Sequence, residues 1–290
     1  MIGGYDRGMD GIRRQLLDDG WALVRGVVGR DDIVAAKERL REILSHVDYY
    51  RQHIGIIRQV KDPLLREHPD PLLRFDWINE ITFRDQILWE RLAAHRRLVD
   101  LACAVLDEPT VFTLNGGGLF LKPPRGGAEV PWHQDVSPFV DPPEQGRTTN
   151  PLLFDFWLGL DPATEENGCL QLIPGSQHHG RVPHQDRGGI LPELDIAAFG
   201  YTQRDVVSMP MDPGDVLVWH QDMFHHSNPN RSDRQRIGVA SIYMGGSHEQ
   251  QIRSWASRNL PVKGCDRTRY AVAINGKPRP LDLPLPPAGG

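Results

Sequence analysis

The tetrapeptide Trp-His-Gln-Asp occurs twice in this chain, at 132–135 and at 219–222. The first copy supplies His133 and Asp135; His225 comes 92 residues after His133, and Arg236 eleven residues after His225. In an extended strand residues i and i+2 point to the same side, so His133 and Asp135 can reach one ion together while Gln134 faces away. With a third ligand from a distant strand, two neutral imidazoles and one carboxylate leave three positions of an octahedral ion open. That donor set is associated with non-haem Fe(II) oxygenases, whereas a closed structural zinc site takes four protein ligands, often cysteines.

His220, His225 and His226 compete for the third position. Residues 215–220 read as a buried strand launched by the turn Asp212-Pro213-Gly214, which makes His220 a packed strand residue. His225 and His226 open the turn that follows. Beyond them Arg236, Gly238, Ala240, Ile242 and Met244 share one face of a strand. Small residues beside the arginine leave room for a bound acid, and a planar guanidinium pairs bidentately with a carboxylate, which a 2-oxo acid offers. The second tetrapeptide is a poor metal pair, because only His248, 26 residues after Asp222, remains downstream.

Further motifs accompany these residues: Lys122-Pro123-Pro124, Pro131-Trp132-His133-Gln134-Asp135, Glu166-Asn167-Gly168-Cys169-Leu170, Pro174-Gly175-Ser176, Pro213-Gly214-Asp215, His225-x-Ser227-x-x-Asn230 and the opening Asp19-Gly20-Trp21-Ala22-Leu23-Val24. In this set the chain resembles the phytanoyl-CoA dioxygenase family of Fe(II)- and 2-oxoglutarate-dependent oxygenases, over most of its length. The resemblance implies that His133, Asp135 and His225 hold the iron and that Arg236 pairs with the distal carboxylate of 2-oxoglutarate. Ser227 and Lys122 would be further hydrogen-bond donors to that cosubstrate. His226 stands where the family often has glycine, so a second imidazole adjoins the metal turn; the eleven-residue step to Arg236 favours His225.

What the family resemblance implies for activity is the coupled oxidation of 2-oxoglutarate and an unactivated C–H bond of a small organic metabolite by O2. Succinate and CO2 are released, and hydroxylation is the expected outcome, with a place in secondary metabolism. The carboxylate of Asp135 argues against halogenation, since related halogenases carry a small residue there. Two alternatives stay open: a jelly-roll metalloenzyme that does not use 2-oxoglutarate, and a non-catalytic jelly-roll binding module.

Other tempting residues have blander readings. His178 and His179 lie in a turn-rich stretch where a solvated loop is the default, with the pocket rim as alternative. Trp157, in the apolar run 154–160, reads as core or as a pocket wall. Asp161, Glu165 and Glu166 form a carboxylate cluster beside a turn, which suits a solvated surface.

The elements that must position the site follow from periodicity. A short strand is expected over 21–28, then a helix with Asp31 and Asp32 as N-cap candidates and an apolar stripe of Ile33, Ala36, Leu40, Ile43, Leu44 and Val47. A second amphipathic helix is expected over 84–106, and both should brace the outside of a sheet. From Val111 onward short strands alternate with Gly, Pro and Asn turns. The fold class is therefore mainly β with flanking helices, a double-stranded β-helix or jelly roll of cupin-like type. Residues 1–290 are expected to be a single oxygenase domain, with 1–110 as helical support and first strands, 111–245 as the jelly-roll core and 246–290 as a C-terminal extension. Segments 49–83 and 136–153 are expected to be irregular loops closing over the iron, 180–200 another wall, and the Pro-rich tail 277–290 extended and dispensable.

Composition bounds the remaining possibilities. Hydrophobic content of 39% and charged content of 24% over 290 residues suit a globular enzyme with a sizeable core. A net charge of -5 provides no broad basic field for nucleic acid or an anionic membrane. Cys103, Cys169 and Cys265 show no Cys-x-x-Cys spacing, so a reducing compartment fits. Residues 1–7 lack the apolar core of a secretion signal and no segment approaches the length of a membrane span, which makes the cytoplasm the expected location.

Overall fold

The computed structural model describes residues 8–50, 57–113, 117–135, 153–188, 191–248 and 271–280. In chain order its strands are β1 (Trp21–Val24), β2 (Ile57–Gln59), β3 (Phe75–Ile78), β4 (Val111–Thr113), β5 (Gly118–Lys122), β6 (Val130–His133), β7 (Phe154–Gly159), β8 (Leu170–Leu172), β9 (Val207–Met209), β10 (Val216–His220), β11 (His225–Ser227), β12 (Arg236–Gly245), β13 (Ala271–Ile274) and β14 (Lys277–Pro278). The minor sheet runs β6-β11-β8-β9. The major sheet runs β1-β10-β7-β12, and the long β12 then pairs with both β5 and β4 along its other edge. From β5 the sheet continues to β3 and β2, and from β4 to β13 and β14.

Side chains alternate across the major sheet and sort its two faces. Phe154, Phe156 and Leu158 of β7, with Val216 and Val218 of β10, belong to one buried cluster with the helix residues Leu16, Ile33, Ala36, Leu40, Ile43, Leu44, Leu101 and Val105. Their neighbours Trp157, Leu217 and Trp219 turn to the other side and pack with Leu170, Leu172 and Met209 of the minor sheet. Helices therefore seal one face, and the two sheets enclose the other as a jelly roll. Burial on both faces explains why β7 and β10 are apolar or buried at every position.

Several boundaries differ from the sequence expectation. The helix Arg30–Ser45 starts earlier than expected, with Gly29 rather than Asp31 or Asp32 at its N-cap, so both aspartates lie in the first turn. They favour the positive helix end by charge rather than by capping, and Asp32 is ion-paired with Arg91 and lies 3.3 Å from His95 Nε2. Over 84–106 the chain is broken: a π-helical turn, Trp89–Ala93, and the extended backbone of His95 precede the helix Arg96–Leu106. The helix Met9–Asp19 has no counterpart in the sequence reading.

Residues 57–83 correct the loop expectation for 49–83. They add β2 and β3 to the major sheet and bury Leu72, Phe75, Ile78 and Ile81, because Pro71, Asp70 and other turn residues interrupt the apolar pattern without removing it. The start of the Pro-rich tail is likewise tied down: Lys277 pairs with Ile274, and Arg279 O accepts from Trp89 Nε1 at 2.7 Å. Residues 136–152 and 281–290 lie outside the described residues. Among the described residues no helix is long and apolar enough to cross a membrane.

Candidate metal centre

Strands β6 and β11 are neighbours in the minor sheet, and their register sets His133 opposite His225 with ring centroids 4.0 Å apart. Asp135 brings Oδ2 to 3.3 Å from His225 Nε2 and Oδ1 to 3.9 Å from His133 Nε2. One donor atom from each of the three lies within 4.8 Å of the others, a spacing that could hold a metal ion. His226 is turned away, its ring stacked on Trp132 at 4.2 Å and its Nε2 against Gln171. The structure thus brings His225, not His226, to His133 and Asp135.

Each imidazole is aimed from behind. His133 Nδ1 lies 2.7 Å from Pro131 O, and His225 Nδ1 lies 3.0 Å from Met223 O. A carbonyl can only accept, so Nδ1 carries the proton and Nε2 turns its lone pair into the site. Burial, followed by the neighbouring His225, pushes His133 down to about 3, which keeps it neutral as a ligand must be. Burial alone would raise Asp135, but His225, His133 and hydrogen bonds from Trp219 and Asp155 outweigh it and hold the carboxylate below its usual range. The donor set and its protonation therefore fit a divalent metal.

The second Trp-His-Gln-Asp copy buttresses the first. Trp219 Nε1 donates to Asp135 Oδ2 at 3.1 Å, Asp135 N donates to Gln221 O at 3.2 Å, and Gln134 Nε2 donates to Asp222 O at 2.7 Å. His220 is buried in β10 with its ring edge-on to Phe154 and its Nδ1 accepting from Asp222 N, the packed role its strand position predicts. Asp155, in register between Trp219 and Ile242, hydrogen-bonds Asp135; burial and that negative neighbour raise its carboxyl well above the ordinary range. Sequence reasoning missed both Trp219 and Asp155. The signals were there in a repeated motif and in a lone acid inside the apolar run 154–160.

The cluster opens into a cavity of about 360 Å³ between the sheets, lined by Lys122, Trp157, Ser227 and Arg236 as well as by the three donors. Arg236 is only 2% exposed, and burial pushes it down to about 10. Its Nη2 donates to Gly168 O at 2.9 Å, while Nε and Nη1 have no partner among the described residues. Trp157 lies across the guanidinium at 5.0 Å, and it can do so because Gly238 has no side chain: a Cβ there would sit 2.2 Å from the indole. Trp157 is thus both core and pocket wall. Lys122, opposite Arg236 in register, donates to Ser227 O at 3.1 Å and to Asn228 O, and burial with the nearby Arg236 charge holds its amine at about 6. Leu191 brings the 180–200 segment to the same cavity.

The remaining candidates fall outside. His178 is exposed, and His179 packs among Phe199, Tyr201 and Phe224 rather than standing in solvent. Glu165 and Glu166 are exposed, and Asp161 is ion-paired with Lys37.

Two antiparallel sheets rolled around a pair of imidazoles and a carboxylate place the chain in the cupin-like jelly-roll class. Within that class the sequence is specific: the phytanoyl-CoA dioxygenase family model matches residues 16–238, and the chain belongs to that family. It is 28% identical over 177 residues to dioxygenase lolE1 of Epichloe uncinata, covering 60% of this chain and 66% of that protein. It is 37% identical over 118 residues to the phytanoyl-CoA dioxygenase of Arabidopsis thaliana, covering 41% of this chain and 39% of the relative. These alignments therefore span from under half to about two thirds of the relatives' own lengths. The structure of the epimerase SnoN in complex with Fe3+, alpha ketoglutarate and nogalamycin RO shares the fold, with a TM-score of 0.59 at 19% identity over 94% of this chain and 96% of that one.

Proposed function

We propose that this chain is an Fe(II)- and 2-oxoglutarate-dependent oxygenase that oxidises, and typically hydroxylates, a C–H bond of a small organic metabolite with release of succinate and CO2. The observation that carries the reading is Arg236: a buried guanidinium with two unpartnered nitrogens, in the same cavity as a three-donor cluster. A buried charge without a carboxylate partner is costly, and a keto diacid held at both ends would supply that partner. His133, Asp135 and His225 would hold the iron, Arg236 the far carboxylate, and Ser227 and Lys122 would be further donors to it. Bound iron, with O2, would supply the oxidising power.

The chain's own residues do the rest. Trp219 and Asp155 hydrogen-bond Asp135, and Trp157, Leu170, Trp219 and Ile242 line the cavity with apolar surface that would keep bulk water from the reacting centre. With iron bound, Asp135 would be a ligand where related halogenases have a small residue and a halide, which favours hydroxylation. This reading treats 1–290 as a single domain, and a reducing cytoplasm would suit the free Cys103 and Cys169.

The test is anaerobic addition of Fe(II) and 2-oxoglutarate to the purified protein. A weak visible charge-transfer band should appear, and in air a suitable substrate should raise succinate formation. His133→Ala and Asp135→Ala should remove both signals; a band that persists in either variant rules the assignment out.

A further inference from the structure

Cross-strand register builds one continuous wall along the inner face of the major sheet. Arg58 of β2 stands opposite Trp77 of β3, Trp77 opposite Phe120 of β5, and Phe120 opposite Gly238 of β12. Arg58 lies over the Trp77 ring at 5.3 Å, Trp77 stacks on Phe120 at 5.8 Å, and Phe120 meets Trp157 at 5.3 Å. Trp157 in turn covers Arg236. Three aromatic rings therefore separate two guanidiniums, one deep beside the metal donors and one at the outer end, and all five residues line the same cavity.

The outer guanidinium is less buried than the inner one but is also held by protein groups. Arg58 Nε pairs with Asp76 Oδ1 at 2.6 Å, and the indole of Trp77 backs the flat face. Asp76 is itself largely covered, at 16% side-chain exposure, against 34% for Arg58. Arg58 and Asp76 both line the cavity, and with Nε held by Asp76 the Nη edge is the part of the guanidinium that can offer a fork of N–H donors to a ligand there. A guanidinium fixed this way binds a carboxylate with little ordering cost. The inner cationic end would take a cosubstrate carboxylate; the outer end carries Asp76 on Nε and keeps its Nη edge for a second acid.

We infer that Arg58 anchors a carboxylate of the organic substrate, whose flat or ring-bearing body lies along Trp77 and Phe120 toward the metal donors. The inference rests on the oxygenase reading for the direction in which the substrate points, but the acid-binding fork stands on its own geometry. Trp77 Nε1 donates to Asn79 Oδ1 at 2.9 Å, which locks the ring as a wall rather than a lid.

The test uses 3-phenylpropanoate, 4-phenylbutanoate and indole-3-propanoate, each beside its primary amide. Calorimetry on the metal-free protein should show at least one acid binding about tenfold or more tightly than its amide. Arg58→Gln should bring acid and amide within about twofold, while Arg58→Lys, which keeps the charge but loses the fork, should retain part of the preference. With Fe(II) and 2-oxoglutarate present, the same acid should shift the charge-transfer band. Equal binding of acids and amides, a preference that survives Arg58→Gln, or no binding by any of the three acids overturns the inference. A protein that forms the band yet shows no acid preference sinks this inference alone, whereas an acid preference without any band sinks the oxygenase reading alone.

Discussion

Trp219 Nε1 reaches from the major sheet to Asp135 Oδ2, two residues beyond the minor-sheet strand β6, at 3.1 Å, so that one copy of a repeated tetrapeptide holds the carboxylate of the other. The contact ties the two sheets at the site itself. It also limits which Asp135 oxygen is free to face a metal.

Replacing Trp219 with Phe should therefore weaken metal binding without unfolding the chain. Partners that orient a ligand are commonly worth about 10- to 100-fold in metal affinity, and the low end is expected because Asp155 still contacts Asp135. Calorimetric titration with Co(II) or Fe(II) measures it; unchanged affinity would show that the indole does not position the carboxylate.

Arg236→Ala should raise the 2-oxoglutarate requirement steeply. Loss of a charge-assisted hydrogen bond costs about 1.5–3 kcal/mol, or about 10- to 100-fold in concentration. Succinate formation against 2-oxoglutarate concentration checks this, and a variant with wild-type dependence would favour a jelly-roll metalloenzyme that does not use the keto acid.

Gly238→Ala should damage both stability and cosubstrate binding. Its new methyl would sit 2.2 Å from Trp157, and overpacking of this kind costs about 1–3 kcal/mol. Because the displaced indole backs Arg236, the fall in melting temperature should come with a weaker charge-transfer band on 2-oxoglutarate titration. A stable variant with a normal band would mean that the wall yields freely.

Lys122 gives a pH signature. Its amine is held at about 6 in the folded chain against an ordinary value of 10.5, so between those limits the unfolded chain binds the extra proton and stability rises with pH. Lys122→Met removes that term. Its gain in stability over the wild type should be largest near pH 6 and shrink toward pH 10.5, as read from urea unfolding at stepped pH. A difference that is flat across this window would show that the folded lysine stays charged.

Much of the site was legible as spacing. The order of His133, Asp135 and His225 named the three donors, although β6 ends at His133 and leaves Asp135 two residues past it. The room that small residues mark beside Arg236 is filled at Gly238 by the Trp157 indole rather than left for an acid. Residues 57–83 were not legible in the same way: their strands are three and four residues long, below the length at which alternation can be told from loop composition. The break at His95 was equally hidden, since Leu88, Leu92, Leu98, Leu101 and Val105 reach one core whether or not the helix between them is continuous.

Residue types and their order were enough to single out a candidate donor set with His225 over His226, a cation that could hold a diacid, and the family, because ligand chemistry and strand periodicity are local properties of the chain. Tertiary structure alone decided that the second tetrapeptide buttresses the first and that Arg58, Trp77 and Phe120 line up with Trp157. Those are matters of register between strands distant in sequence, fixed by how two sheets share one buried interior, and no local pattern encodes them.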